Sequence, residues 1–379
     1  MVDYKLFSAD SHVTEPADLW VERIDRQFSF RAPRVVPLEK DGRLQDFMIY
    51  EGYPPHPVEP GIGAAGRERA GGSGDFKARS YHEALPGGWN PAVRLNDQDT
   101  DGVDGEIIHP TLGFRMFWLK DAALQRACFR VYNDWLAEMC SYAPKRLFGV
   151  PLISLYDIDL ACEELRRVNK LGLKGAMIWQ QPPADFKPYS DPYYDPFWAT
   201  AQDLDAPIAL HGITGHGESR YSIAYWNPES VLGNVTRHHE IERTLALLIL
   251  SGVLERFPRL KVISVENHTD WLPVWMNRLE GSIRRAPATF PTKLTMTPLE
   301  YFHRQVYVTY INEVDAVGKR ELIGLDNLMW SSDYPHSAST WPKSQEVVAR
   351  DFDGLPEQHR RKIVRDNALR LFDLAPVAA

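Results

Sequence analysis

Short apolar runs of strand length recur along the chain, and most lead into a longer stretch with helical periodicity. The runs are Tyr4 to Asp10, Val103 to Pro110, Leu147 to Leu155, Gly175 to Trp179, Pro207 to Gly212, Leu260 to Glu266, Val306 to Ile311 and Leu328 to Asp333. The spacing predicts helices over Asp121 to Tyr142, Asp157 to Leu171, Ile241 to Phe257, Trp271 to Arg285 and Glu313 to Ile323. Strands alternating with helices imply an α/β fold with parallel strands, and a count of eight favours a closed (β/α)8 TIM barrel. An open doubly wound sheet is the weaker alternative, since no glycine-rich dinucleotide fingerprint or P-loop follows any run.

Two stretches break this rhythm and are expected as long loop insertions after strands 1 and 5. The first, residues 13–96, contains EGYPPHPVEPGIGAAGRERAGGSGDF, whose proline and glycine content argues against regular structure and for a loop or lid. Within it, Gly61 to Asp75 also reads as a surface excursion with partial disorder. The second, Ile213 to Glu240, is rich in Tyr, Trp and His and would wall a pocket. The whole chain is expected to form a single domain.

Composition narrows the function. The 379 residues are 44% hydrophobic and 25% charged, with a net charge of −8. No Lys/Arg cluster appears, which argues against nucleic acid as a partner. Cys128, Cys140 and Cys162 lack CxxC spacing, so a disulfide framework or thiolate zinc site is not expected. The chain opens without a signal-peptide pattern and has no apolar stretch approaching the roughly 18 residues of a membrane span. A cytoplasmic protein with a small-molecule substrate and no membrane partner is expected, and the aromatic excursions leave room for a homo-oligomer.

In a (β/α)8 barrel the chemistry gathers where strands end and loops begin. The first run ends in Asp10-Ser11-His12, where period-two alternation points both ligand-type side chains to one side. The fifth ends in His211, the sixth in Glu266-Asn267-His268, and the eighth in Asp333, with His336 close behind. One histidine at a strand end is more often a hydrogen-bonded rim residue than a ligand. Four strand ends that a barrel would bring together shift the balance toward one divalent metal ion. Imidazole with carboxylate suits zinc first, with manganese or iron as alternatives. Arg115, with Phe114, Phe117 and Trp118 after the second run, would clamp a substrate carboxylate beside an aromatic wall. His109 ends the same run as a pocket candidate, and His336 joins the substrate-binding set.

The opening DSHVTEP resembles the D-x-H-x-x-E-P start of the amidohydrolase-related enzymes, in the branch that includes aminocarboxymuconate semialdehyde decarboxylase. RLNDQDTDGVDGEIIHP, LFGVPLISL, LGLKGAMI, PIALHG, LERFPRLKVISVENHTDWLPVWMNRLE and MWSSDYPH continue the likeness in order over nearly the whole chain. The resemblance implies one catalytic metal held by Asp10, His12, His211 and Asp333. Better-known members begin H-x-H or with Glu, so Asp10 is a departure that bears on metal preference. The sixth strand is ambiguous: spacing to Pro273 aligns Glu266, leaving His268 as an acid-base group, an outer partner or part of a second metal position. No lysine stands at the end of the fourth strand, and Lys174 precedes it, so a bridged two-metal site is not expected.

These parts lead to the expectation of a metal-dependent hydrolase, in which metal-activated water attacks a small carboxylated or cyclic substrate. Asp333 would carry the proton, with His268 or Glu266 steadying developing charge. The alternative is nonoxidative decarboxylation of an aromatic or enol acid by the same groups. A second alternative is an inactive barrel serving as a binding module.

Overall fold

The computed structural model describes residues 4–40, 42–58, 60–66, 83–217, 235–236, 238–285 and 294–375. Eight parallel strands form the frame: β1 (Leu6–His12), β5 (Val103–His109), β6 (Leu147–Gly149), β7 (Ala176–Ile178), β8 (Ile208–His211), β9 (Val262–Val265), β10 (Val306–Tyr310) and β11 (Leu328–Trp330). β1, β5 and β6 pair in that order, and β7 through β11 pair in sequence. A parallel bridge from Leu152 to Met177 joins β6 to β7. The ring closes where the Asp333 N–H donates to the Asp10 carbonyl at 3.0 Å and the His12 N–H to that of Tyr334 at 2.6 Å. Apart from the half-buried Asp104 of β5, the strands are buried along their lengths, so most read as apolar runs and not as alternating ones.

Most predicted strands shorten at one or both ends, and at the carboxyl ends residues that leave the ladder, such as Glu266 and Asp333, form the rim that carries the site. Helices Ala122–Ser141 and Ile158–Lys170 lie within a residue of expectation, each started by an aspartate, Asp121 or Asp157, that accepts backbone N–H groups. The helix expected from Ile241 to Phe257 is two, His238–Leu250 and Val253–Arg256, because Gly252 takes φ 76° between them. Glu313 to Ile323 likewise divides into Val314–Gly318 and Arg320–Ile323.

Between β1 and β5 the expectation of irregular structure needs correction. β2 (Arg34–Lys40) and β3 (Arg43–Ile49) form an antiparallel hairpin, and β4 (His56–Pro57) pairs with β3 as a third strand. The two-residue connection carries Gly42 at φ 72°, a conformation that favours glycine. Part of the Gly61 to Asp75 stretch, from residue 67 on, and most of Ile213 to Glu240, residues 218–234 and 237, lie outside the described residues. Among the described residues no helix is long and apolar enough to cross a membrane.

Candidate metal centre

The carboxyl ends of β1, β5, β8, β9 and β11 converge. His12, fully buried, places Nδ1 2.7 Å from the Pro110 carbonyl; a carbonyl only accepts, so Nδ1 donates and Nε2 is left facing the centre. There Nε2 lies 3.3 Å from Asp10 Oδ1, 3.3 Å from Asp333 Oδ1 and 4.0 Å from Glu266 Oε2. His211 Nε2 lies 3.3 Å from Glu266 Oε2. Asp10, His12, His211 and Glu266 each present a ligand atom within 4.8 Å of one another, and His12, Asp333 and His336 form an overlapping group on the same scale.

Outer hydrogen bonds aim these groups. His109 Nδ1 lies 3.0 Å from Asp10 Oδ1 and fixes the carboxylate from behind. Arg94, buried against Glu106, donates to the His12 carbonyl at 2.6 Å and so holds the end of β1. Glu15 is fully buried and accepts the N–H groups of Thr111, Leu112 and Gly113 at 3.1, 2.8 and 2.9 Å. That bond set fixes the 3-10 helix Leu112–Trp118, which brings the Phe114 ring to 4.4 Å from the His211 ring. Thr111 Oγ1 donates to the Val13 carbonyl at 2.6 Å and stands 2.9 Å from His336 Nε2. The other His336 nitrogen is 2.9 Å from Asp333 Oδ1.

The backbone is strained here. Glu266, His268 and Asp333 have φ values of 53°, 59° and 58°, the left-handed region that non-glycine residues avoid at about 1–2 kcal/mol each. Electrostatics follow from packing three carboxylates among imidazoles. Burial would push the Asp10 carboxyl up, but the His12 and His109 charges and hydrogen bonds outweigh it and hold the group well below the usual range. Burial would pull His12 down, yet Asp10, then Asp333 and Glu266, lift it to about 9. His109 is lowered, chiefly by burial.

A divalent cation fits this donor set. Asp10 Oδ2 and His12 Nε2 are buried without a hydrogen-bond partner among the described residues, in a centre where negative groups raise the proton affinity of an imidazole. A cation taking the place of that proton would satisfy both atoms.

The predicted residues fall as follows. Asp10, His12, His211, Glu266, Asp333, His109 and His336 come together. His268 does not join them: its side chain is 58% exposed, with Nδ1 3.3 Å from Glu313 Oε1. Arg115 lies half-buried over the Trp118 ring, with Nη2 2.8 Å from His56 Nε2 on β4. Trp118 is buried and donates Nε1 to the Gly215 carbonyl at 3.1 Å. Sequence reasoning assigned no role to Glu15, Arg94, Thr111, His56 or Glu313. Glu15 and Arg94 did stand inside quoted motifs; Thr111, His56 and Glu313 carried no local signal.

Fold and site together define a barrel whose carboxyl-terminal rim carries a centre suited to a divalent metal. The chain belongs to the amidohydrolase family, whose model matches residues 82–374. It is 31% identical over 263 residues to gamma-resorcylate decarboxylase of Rhizobium sp. strain MTP-10005, covering 64% of this chain and 75% of that protein. Among solved structures, an amidohydrolase from Mycobacterium avium subsp. paratuberculosis K-10 superposes with TM-score 0.78 at 25% identity, covering 98% of this chain and 100% of that one. The 5-carboxyvanillate decarboxylase of Sphingomonas paucimobilis does so with TM-score 0.63 at 26% identity, covering 75% and 83%. These relatives correct the expectation of a hydrolase. The functionally described ones are carboxy-lyases, and the misreading has a chemical reason: imidazole and carboxylate ligands around one cation serve either reaction, so ligand spacing cannot separate them.

Proposed function

We propose that the protein is a metal-dependent nonoxidative decarboxylase of a small hydroxylated aromatic or enol acid. The observation that carries the reading is the hydrogen-bond chain ending at Asp333. Thr111 has one hydroxyl proton and gives it to Val13, so its oxygen accepts from His336 Nε2. The remaining His336 nitrogen lies 2.9 Å from Asp333 Oδ1, so Thr111, His336 and Asp333 form one hydrogen-bonded line that ends at the centre. Such a line can pass a proton to a substrate carbon. The two decarboxylases named above support the same choice.

In this reading Asp10, His12, His211 and Asp333 would hold the cation, with Glu266 within reach of it. Zinc and manganese both suit two imidazoles with carboxylates, and the oxygen-rich set gives manganese the stronger claim. The bound cation would act as a Lewis acid on the oxygens of the substrate. Asp333, relayed by His336, delivers its proton to the ring carbon bearing the carboxylate. The carbon–carboxylate bond then breaks, its electron pair restores the aromatic or enol system, and carbon dioxide leaves. Phe114 supplies an apolar face beside His211 that excludes water. Within the stretch 13–96, His56 stands beside Arg115 of the loop after β5, which supports a lid role for that part of the stretch.

The test is carbon dioxide release from 2,6-dihydroxybenzoate and 5-carboxyvanillate by manganese-loaded protein in deuterated water. The expected product carries deuterium at the carbon that lost its carboxylate. Asp333→Asn should lower the rate by about 10²- to 10⁴-fold while circular dichroism is retained. Full turnover in that variant would remove Asp333 from the chemistry.

A further inference from the structure

We propose that Glu313 is a positioning residue for the cation centre, acting through the turn that follows β9. This inference rests on the metal-dependent reading above. Glu266 is the first residue beyond β9 and places Oε2 3.3 Å from His211 Nε2. It achieves this in a left-handed conformation at φ 53°, followed two residues later by His268 at φ 59°. Two non-glycine residues in that region within three positions form a turn that an unrestrained chain would leave.

Glu313, in the loop beyond β10, supplies the restraint. One of its oxygens, Oε2, accepts from the Thr269 backbone N–H at 2.9 Å and from the Thr269 hydroxyl at 2.8 Å. The other, Oε1, faces His268 Nδ1 at 3.3 Å. A single carboxylate on the neighbouring barrel unit thus gathers the donors of two consecutive turn residues. Asn267, between the two strained positions, is tied on the opposite side to the Leu210 and Val265 carbonyls at 3.3 and 2.9 Å. The turn is pinned from both flanks, and Glu266 can aim inward only while it stays so. The same clamp accounts for His268 turning outward: its nitrogen partners the carboxylate that secures the turn.

The experiment is calorimetric titration of manganese into the stripped full-length protein, together with amide hydrogen exchange over residues 266–270 without metal. Glu313→Ala is expected to weaken manganese binding by about ten- to a hundred-fold, the usual range for an outer partner of a metal site. It should also speed exchange at Thr269. Glu313→Gln, whose amide oxygen can take both Thr269 donors, should recover most of the affinity. Thr269→Val, which removes one donor and keeps the shape, should show a smaller loss and decides the matter if the alanine variant fails to fold. Wild-type affinity and exchange in the alanine variant, or in Thr269→Val where that variant is decisive, would overturn the role of Glu313 and leave the decarboxylase reading standing. A wild-type protein that binds no manganese would instead bring down that reading and this inference with it.

Discussion

Glu15 shows how much a single side chain can organise without touching a ligand. Its carboxylate, buried and raised in proton affinity by that burial, is opposed by backbone N–H bonds from the loop after β5. Glu15→Gln would turn one acceptor into a donor facing other donors, and it should cost about 1–3 kcal/mol. Chemical denaturation of the two proteins measures this, and an unchanged midpoint would contradict it. At this scale the convergence of Asp10, His12 and His211 was legible because strand ends in a barrel point their polar residues to one face. The choice between Glu266 and His268 was not legible. Alternation puts residues two apart on the same side, but left-handed backbone at both positions breaks the alternation, and no local sequence feature announces it. Thr111 and His56 stayed hidden for another reason, since their partners lie 225 and 59 residues away along the chain.

At the level of elements, helices were read well where one face is apolar and an aspartate starts the first turn, as in Ala122–Ser141 and Ile158–Lys170. The hairpin β2–β3 was missed because the proline and glycine content downstream of it dominated the reading of the whole region, although the glycine between its strands marks a tight turn. The two helices just named are linked by Glu164, which accepts from Asn133 at 3.0 Å and from Arg167 Nη2 at 2.7 Å. Burial would raise the Glu164 carboxyl, but the Arg167 and Asn133 hydrogen bonds outweigh it and lower it below its ordinary 4.5. A carboxylate lowered by folding stabilises the native state above its unfolded value and loses that contribution as pH falls through the folded one. Glu164→Gln should therefore be less stable than wild type near pH 7, with the gap closing as pH drops below about 4.5. Parallel stability curves across that range would refute the assignment.

For the molecule as a whole, eight strand-to-helix units closing into one ring place residues from both ends of the chain at one point, Asp10 beside Asp333. The barrel was legible because buried parallel strands read as apolar runs. The reaction was not, because imidazole and carboxylate sets serve more than one chemistry and the hydrogen bonds that join Thr111, His336 and Asp333 exist only in the folded chain. A cation that binds the folded centre alone must stabilise the fold, by about 2.7 kcal/mol at a hundredfold excess over its Kd. Thermal unfolding should shift upward with manganese in wild type and stay fixed in His12→Ala; equal shifts in both would place the binding elsewhere.

The central claim is that Asp10, His12 and His211 gather around one divalent ion, and anomalous diffraction from crystals grown with manganese tests it most directly. The account predicts one strong peak per chain in bonding contact with those three side chains. A peak elsewhere, or none at this centre, would contradict it.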